Sequence, residues 1–166
     1  MQTVDVASFN DLSDSEVREQ LRRCLNVPRW VDTVAEGRPY VDVASLEATA
    51  AAAASDLDDG ELGAALAGHP RIGEQATDPD HDAELSRSEQ GGVDPADLDT
   101  AARLRAGNLA YEQRFDRVFL IRAAGRSADE ILNELNRRLD NDALSEREET
   151  VAQLRDIAIL RLTETL

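Results

Sequence analysis

The chain has 166 residues, a length that suits one domain and can bury roughly 70% of the surface its unfolded form exposes. Hydrophobic residues at 42% fit a folded protein and exclude disorder, while aromatics at only 4% leave Leu, Val, Ile and Ala to fill the core. The net charge is -16, all 18 basic residues are arginine, and so acidic a surface argues against a nucleic-acid partner.

Helix signals dominate in chain order. Ser13-Asp14-Ser15-Glu16 reads as a capping box, with Val17, Leu21 and Cys24 following at helical spacing. Pro28 closes that unit, and Trp30, Val31 and Val34 predict a short second helix broken by Gly37-Arg38-Pro39. Val43, Leu46 and the alanines from Ala48 to Ala54 predict a third, in which alanine's high propensity compensates for a thin apolar face. Leu62 and Leu66 mark a fourth, ended by Gly68 and Pro70.

Residues 74–83 are polar and turn-rich, a loop by composition. Asp94-Pro95 predicts the start of a long helix with the stripe Leu98, Ala101, Leu104, Tyr111, Phe115. Val118 to Ile121 is a short apolar run whose length also permits a strand. Ser127-Ala128-Asp129-Glu130 reads as a second capping box, leading Ile131, Leu135 and Leu139. Ser145-Glu146-Arg147-Glu148 reads as a third, leading Val151, Leu154, Ala158 and Leu162. With no internal repeat, no dividing linker and no alternating strand pattern, the expected fold is all-α: one compact, single-domain bundle of about seven helices over 1–166.

Cys24 is the only cysteine, so no intrachain disulfide forms, which suits a reducing compartment. No run approaches the roughly 18–20 apolar residues of a membrane span, so no membrane partner is expected. Met1 to Asp5 lack a basic region followed by an apolar one, and Glu164-Thr165-Leu166 is not a peroxisomal address; a cytoplasmic location follows by elimination.

With His69 and His81 the only histidines, a single cysteine, and no HExxH or CxxC spacing, a built-in metal site is not expected. The cluster Asp78-Pro79-Asp80-His81-Asp82 reads first as a solvated acidic loop; a metal hydrolase using His69 with that loop would have too few ligands. No glycine-rich phosphate loop is present.

Four places carry groups capable of chemistry. His69 follows Gly68 at a helix end and precedes Pro70, which restricts the backbone; a histidine held there serves equally as a helix-terminal cap or as an acid/base. Ser86-Arg87-Ser88-Glu89-Gln90 brings hydroxyls, a carboxylate and an amide together beside Gly91-Gly92, or is the start of an amphipathic helix and its glycine stop. Asn108 lies on the Leu104–Phe115 stripe, where a satisfied structural amide is the plainer reading. Arg122 ends the run Val118 to Ile121 and precedes Ala123-Ala124-Gly125; it can fork onto a carboxylate or ureido group, or pair with a surface acid.

Taken together these segments resemble one family. Ala67-Gly68-His69-Pro70-Arg71-Ile72-Gly73 is similar to its HPRIG motif, and Ser86 to Gln90 with Gly91-Gly92-Val93 resembles its serine-x-x-glutamate-glutamine-alanine-glycine stretch. Leu109-Ala110-Tyr111-Glu112 to Phe115, Val118 to Ile121 and Gly125-Arg126-Ser127-Ala128 resemble its next block in order and spacing. Trp30-Val31 and Arg38-Pro39-Tyr40 resemble its N-terminal block, so the resemblance spans residues 9–166. The family is the 2-oxo-4-hydroxy-4-carboxy-5-ureidoimidazoline (OHCU) decarboxylases.

The resemblance implies an all-helical, homodimeric enzyme without a cofactor, acting on a small ureidoimidazoline in the last step from urate to (S)-allantoin. It implies His69 as catalytic acid/base and Glu89 as its partner. Pro70, Ser86 and Gln90, with Arg87 and Ser88 between them, would line the substrate. Ile121, Arg122, Ala123, Ala124 and Gly125 would offer backbone groups, with the Arg122 side chain for the carboxylate and Asn108 as a further site position. Three departures stand out: Leu85 replaces a tryptophan before the serine, Leu25-Asn26 a glycine-serine pair, and Asp116 a glycine after Phe115. A helical interaction module that has lost the chemistry is the alternative, resting on Leu85 and the altered N-terminal segment.

The acidity has two readings: a very salty cytoplasm, where screening removes self-repulsion, or a GC-rich genome that replaced Lys by Arg. The salt reading is preferred. It predicts that the thermal unfolding midpoint rises between dilute buffer and molar salt; a flat or falling midpoint sinks it.

Overall fold

The computed structural model describes residues 6–69 and 98–166. Among them lie eight helices and no strand: α1 Val6–Asp11, α2 Asp14–Cys24, α3 Pro28–Glu36, α4 Val43–Ala54, α5 Asp59–Ala67, α6 Leu98–Phe115, α7 Ala128–Leu139 and α8 Ala143–Thr165. The all-α expectation holds. The helix beyond the seven expected is α1, six residues with Phe9 buried, too short to show a period.

Local capping sets several helix starts. Ser13 and Glu16 exchange hydrogen bonds as the sequence predicts: Ser13 Oγ accepts from the Glu16 amide at 3.2 Å and Glu16 Oε2 from the Ser13 amide at 2.9 Å. Those bonds hold the Glu16 carboxyl below its usual pKa, the Ser13 backbone amide contributing most. Asp58 and Glu61 form the same reciprocal box ahead of α5, at 2.7 and 3.0 Å. Ser127 Oγ accepts from the Glu130 amide at the head of α7. The box expected at Ser145 is a correction: α8 starts three residues earlier, where Asp142 Oδ1 accepts from the Ser145 amide at 2.7 Å. The Asp94-Pro95 helix start and the 74–83 loop lie outside the described residues.

The described residues divide into two compact units, one formed by residues 6–65 with 154–166 and the other by 66–69 with 98–153. In the first, α2 packs on α3 and α3 on α4. Trp30 is fully buried and its Nε1 donates to the Ala50 carbonyl at 2.9 Å, where the alanine-rich face of α4 lets the indole approach. Tyr40 is tied in twice: its hydroxyl donates to Val34 O at 2.7 Å, and Asn10 brackets its backbone N–H and C=O at 2.8 and 2.9 Å. Arg38 donates to the carbonyls of Phe9, within α1, and Leu12, just beyond its end, at 3.1 and 2.8 Å. Gln20 reaches Thr165 Oγ1 at 3.1 Å, joining α2 to the end of α8.

In the second unit α6 packs along α7. Leu104, Tyr111, Phe119, Ile121, Ala123, Ile131, Leu132 and Leu135 form one buried cluster, with Phe115 and Leu139 against its edge. A β-carbon at Gly107 would overlap the buried Leu135 side chain, so glycine at this helix position permits the close approach. Asp116 follows α6 with φ 56°, the left-handed conformation that ends helices and favours glycine; its amide bonds Glu112 O at 2.9 Å. This gives a backbone reason for the glycine that the resembled family carries there.

Candidate active site

His69 lies just past α5, half-buried, with its amide donating to Leu66 O at 3.0 Å. That bond satisfies one of the last carbonyls of the helix and fixes the histidine backbone relative to the helix end. Pro70, Ser86, Arg87, Ser88, Glu89, Gln90 and the departure at Leu85 lie outside the described residues, as does the acidic cluster 78–82. Among the described residues, no group of three or more His, Cys, Asp or Glu side chains is placed to hold a metal ion.

The segment Ile121 to Gly125 is fully described and belongs to the same compact unit as His69. It takes neither helix nor strand, so the strand permitted at Val118–Ile121 does not form. Ile121 and Ala123 are each 3% exposed and sit in the core cluster, whereas Arg122 between them is exposed. Their side chains are therefore committed to packing, and what Ile121 and Ala123 can present to a ligand is backbone. Gly125 is exposed at φ 78°, a conformation that side-chain-bearing residues rarely adopt. Asn108 is buried, 4% exposed, on α6 between Leu104 and Tyr111, as the stripe predicts.

An extended segment without a ladder must find other partners for its backbone groups. Here side chains supply them. Arg138 Nη1 donates to Leu120 O at 2.6 Å, Arg122 N donates to Gln153 Oε1 at 2.8 Å, and Arg126 Nε donates to Arg122 O at 3.0 Å. The Arg126 amide closes the turn on Ala123 O at 3.0 Å.

Arg138 belongs to a buried polar group that the sequence reading did not identify. Its side chain is 1% exposed and that of Glu146 0%. Arg138 Nε donates to Glu146 Oε1 at 2.8 Å, and Nη2 donates to the same oxygen. Tyr111 donates its hydroxyl to Glu146 Oε1 at 2.7 Å, and the Thr150 hydroxyl lies 3.4 Å from that of Tyr111. The Arg138 guanidinium also stacks 4.7 Å from the Phe119 ring centroid. A signal was present: Arg138 lies seven residues after Ile131 and three after Leu135, on the inner face of α7, but its charge masks the spacing. Arg161 is buried as well, 1% exposed, with Nη1 3.5 Å from Arg23 O.

Burial pushes the Tyr111 phenol up to about 12, with Thr150 opposing the rise and the Glu146 carboxylate adding to it. A folded-state value above the ordinary 10 means that Tyr111's contribution to stability is complete below pH 10 and is lost as pH rises through about 12. Urea midpoints measured between pH 9 and 12 should fall more steeply for the unmodified protein than for Tyr111→Phe. Equal slopes would remove Tyr111 as a source of alkaline instability. Tyr40, the other tyrosine, is also raised by burial, so the variant retains part of the slope.

Comparison with known proteins places this geometry among relatives. The family model described as OHCU decarboxylase matches residues 10–163. The chain is 28% identical, over 98% of its length and 95% of the relative's, to the 2-oxo-4-hydroxy-4-carboxy-5-ureidoimidazoline decarboxylase of Amia calva. It is 26% identical over 94% of its length to the uric acid degradation bifunctional protein of Bacillus sp. (strain TB-90), of which it spans 31%. Among solved structures it is similar to an OHCU decarboxylase crystallised in the presence of (S)-allantoin, at TM-score 0.72 and 18% identity, covering 89% of this chain and 96% of that one. It is also similar to an (S)-allantoin synthase at TM-score 0.73 and 15% identity, covering 98% of this chain and 54% of that one. At those identities the structural likeness speaks to fold.

Proposed function

The chain belongs to the OHCU decarboxylase family, a family of carboxy-lyases that form allantoin in urate degradation, and we propose that it releases CO2 from the ureidoimidazoline without a cofactor to give the (S) product. The observation that carries this reading is the family match over residues 10–163, which contains every residue the reaction would use.

The chemistry explains why no cofactor is needed. The carboxylate leaves from a carbon next to a ring C=N bond, so the electrons of the broken C–C bond flow into that bond and the substrate carries its own sink. Cofactor-dependent decarboxylases import such a sink. The protein must align the carboxylate, accept the proton of the neighbouring hydroxyl and deliver a proton to one face.

His69 is the acid/base in this reading, at a helix end where its backbone is fixed, and Glu89 orients it or shares its proton. Pro70, Ser86, Arg87, Ser88 and Gln90 contact the ureido and ring amides. The 121–125 backbone borders the substrate, the exposed Arg122 guanidinium attracts the carboxylate, and Asn108 supports the site from α6. The enzyme acts as a cytoplasmic homodimer of one functional domain per chain. No described helix is long and apolar enough to cross a membrane, which is compatible with that location.

The test is allantoin formation from freshly generated substrate, followed by circular dichroism. His69→Ala should lose roughly a hundredfold or more of the rate, the scale of a removed acid/base. Glu89→Ala should lose most of it while the far-ultraviolet spectrum stays helical. Near-normal turnover in His69→Ala would overturn its assignment.

A further inference from the structure

We infer that Gln153 is a positioning residue for substrate binding, acting through the backbone of Arg122. The inference rests on the reading above that the 121–125 segment borders the substrate. Gln153 stands on α8, half-buried, and its Oε1 accepts from the Arg122 amide at 2.8 Å.

The need for such a residue follows from the local structure. Ile121 and Ala123 anchor the segment in the core by their side chains, but the exposed Arg122 between them has no ladder for its backbone to join. Arg138 holds the segment one step earlier, at Leu120 O. Arg126, the residue directly after the segment, takes Arg122 O and closes the 123–126 turn, but both of those bonds are local and move with the turn. Among the described residues, Gln153 on α8 and Arg138 on α7 are thus the side chains from other elements that hold the backbone at 120–122. The residue that Gln153 holds, Arg122, is the nearer of the two in sequence to the 123–126 turn.

The bond also refines which groups face the substrate. Arg122 has its N–H directed at Gln153 and its C=O at Arg126. The backbone contribution to binding therefore moves from Arg122 to the stretch Ala123 to Gly125. With the Gln153 acceptor gone, the Arg122 amide turns to water, and the turn must be ordered each time substrate binds. That cost weakens binding.

Gln153→Met keeps the volume and removes the acceptor; Gln153→Glu keeps an oxygen at the same reach. Steady-state kinetics should show KM raised about tenfold in Gln153→Met, the effect of losing one hydrogen bond's worth of binding, with kcat within about threefold. Gln153→Glu should restore KM to within about threefold of the unmodified protein. A merely structural role would lower the active fraction or the melting temperature and leave KM unchanged. Amide exchange over 121–126 in the free protein should be faster in Gln153→Met. An unchanged KM in Gln153→Met, or a Gln153→Glu protein as impaired as Gln153→Met, overturns the inference while the decarboxylase reading stands. If the unmodified protein forms no allantoin above the spontaneous rate, that reading fails instead. Amide exchange then decides whether Gln153 holds the segment, and an unchanged exchange pattern overturns the hold.

Discussion

Taking a guanidinium and a carboxylate out of water costs several kcal/mol per ion, and only close partners with their remaining hydrogen-bonding groups satisfied can offset it. Arg138 and Glu146 meet that condition. Glu146 Oε1 receives two donors from Arg138 and one from Tyr111, and its Oε2 receives the Asn141 side-chain amide at 3.0 Å. Arg138 spends a further donor on Leu120 O. The pair links α6, α7 and α8 to the irregular segment that follows Phe119 within the unit 66–153. Replacing one partner would leave the other charged and buried, so this contact constrains everything packed on it.

The consequence reaches the segment proposed to border the substrate through the backbone. A loop held by side chains rather than by a ladder can present its amides in one direction without being part of a sheet. Arg138 fixes the segment at Leu120, Gln153 fixes it at Arg122, and the apolar side chains of Ile121 and Ala123 lock it into the core. Packing and hydrogen bonding thus have different roles: burial sets the depth of the segment, and the polar side chains set which way its peptides face.

Much of the helical architecture was legible in the sequence because helix starts and stripes are local. The Ser13 box and the Leu104–Tyr111 stripe need only a few neighbouring residues to be seen. At residues 142–148 two capping patterns lie three residues apart, Asp142 with Ser145 and Ser145 with Glu148. Local reading favoured the serine. In the fold the helix starts earlier, and Glu146 turns inward to a partner eight residues back, which no local rule reveals. Arg138 was hidden for a related reason: its spacing marks the buried face while its charge suggests solvent. The strand allowed at 118–121 does not form: no strand lies among the described residues for it to pair with, and the Leu120 carbonyl is taken by the Arg138 side chain. Of the proposed site, Arg122 stands out in the sequence as the charge that ends an apolar run, whereas a role for the 121–125 backbone comes only from family resemblance. Gln153 was not legible at all, since a glutamine on a helix carries no mark of the amide it will meet.

In the proposed function, this acidic helical protein directs the protonation of its product to one face without help from a metal or cofactor. The most direct measurement is the enantiomeric composition of allantoin formed from freshly generated substrate, with protein that has been exhaustively treated with chelator and gel-filtered. The expected product is (S)-allantoin in large excess, formed faster than in the spontaneous reaction. Racemic product at the spontaneous rate, from protein whose circular dichroism shows it folded, would rule out the decarboxylase reading and leave a helical scaffold without the chemistry.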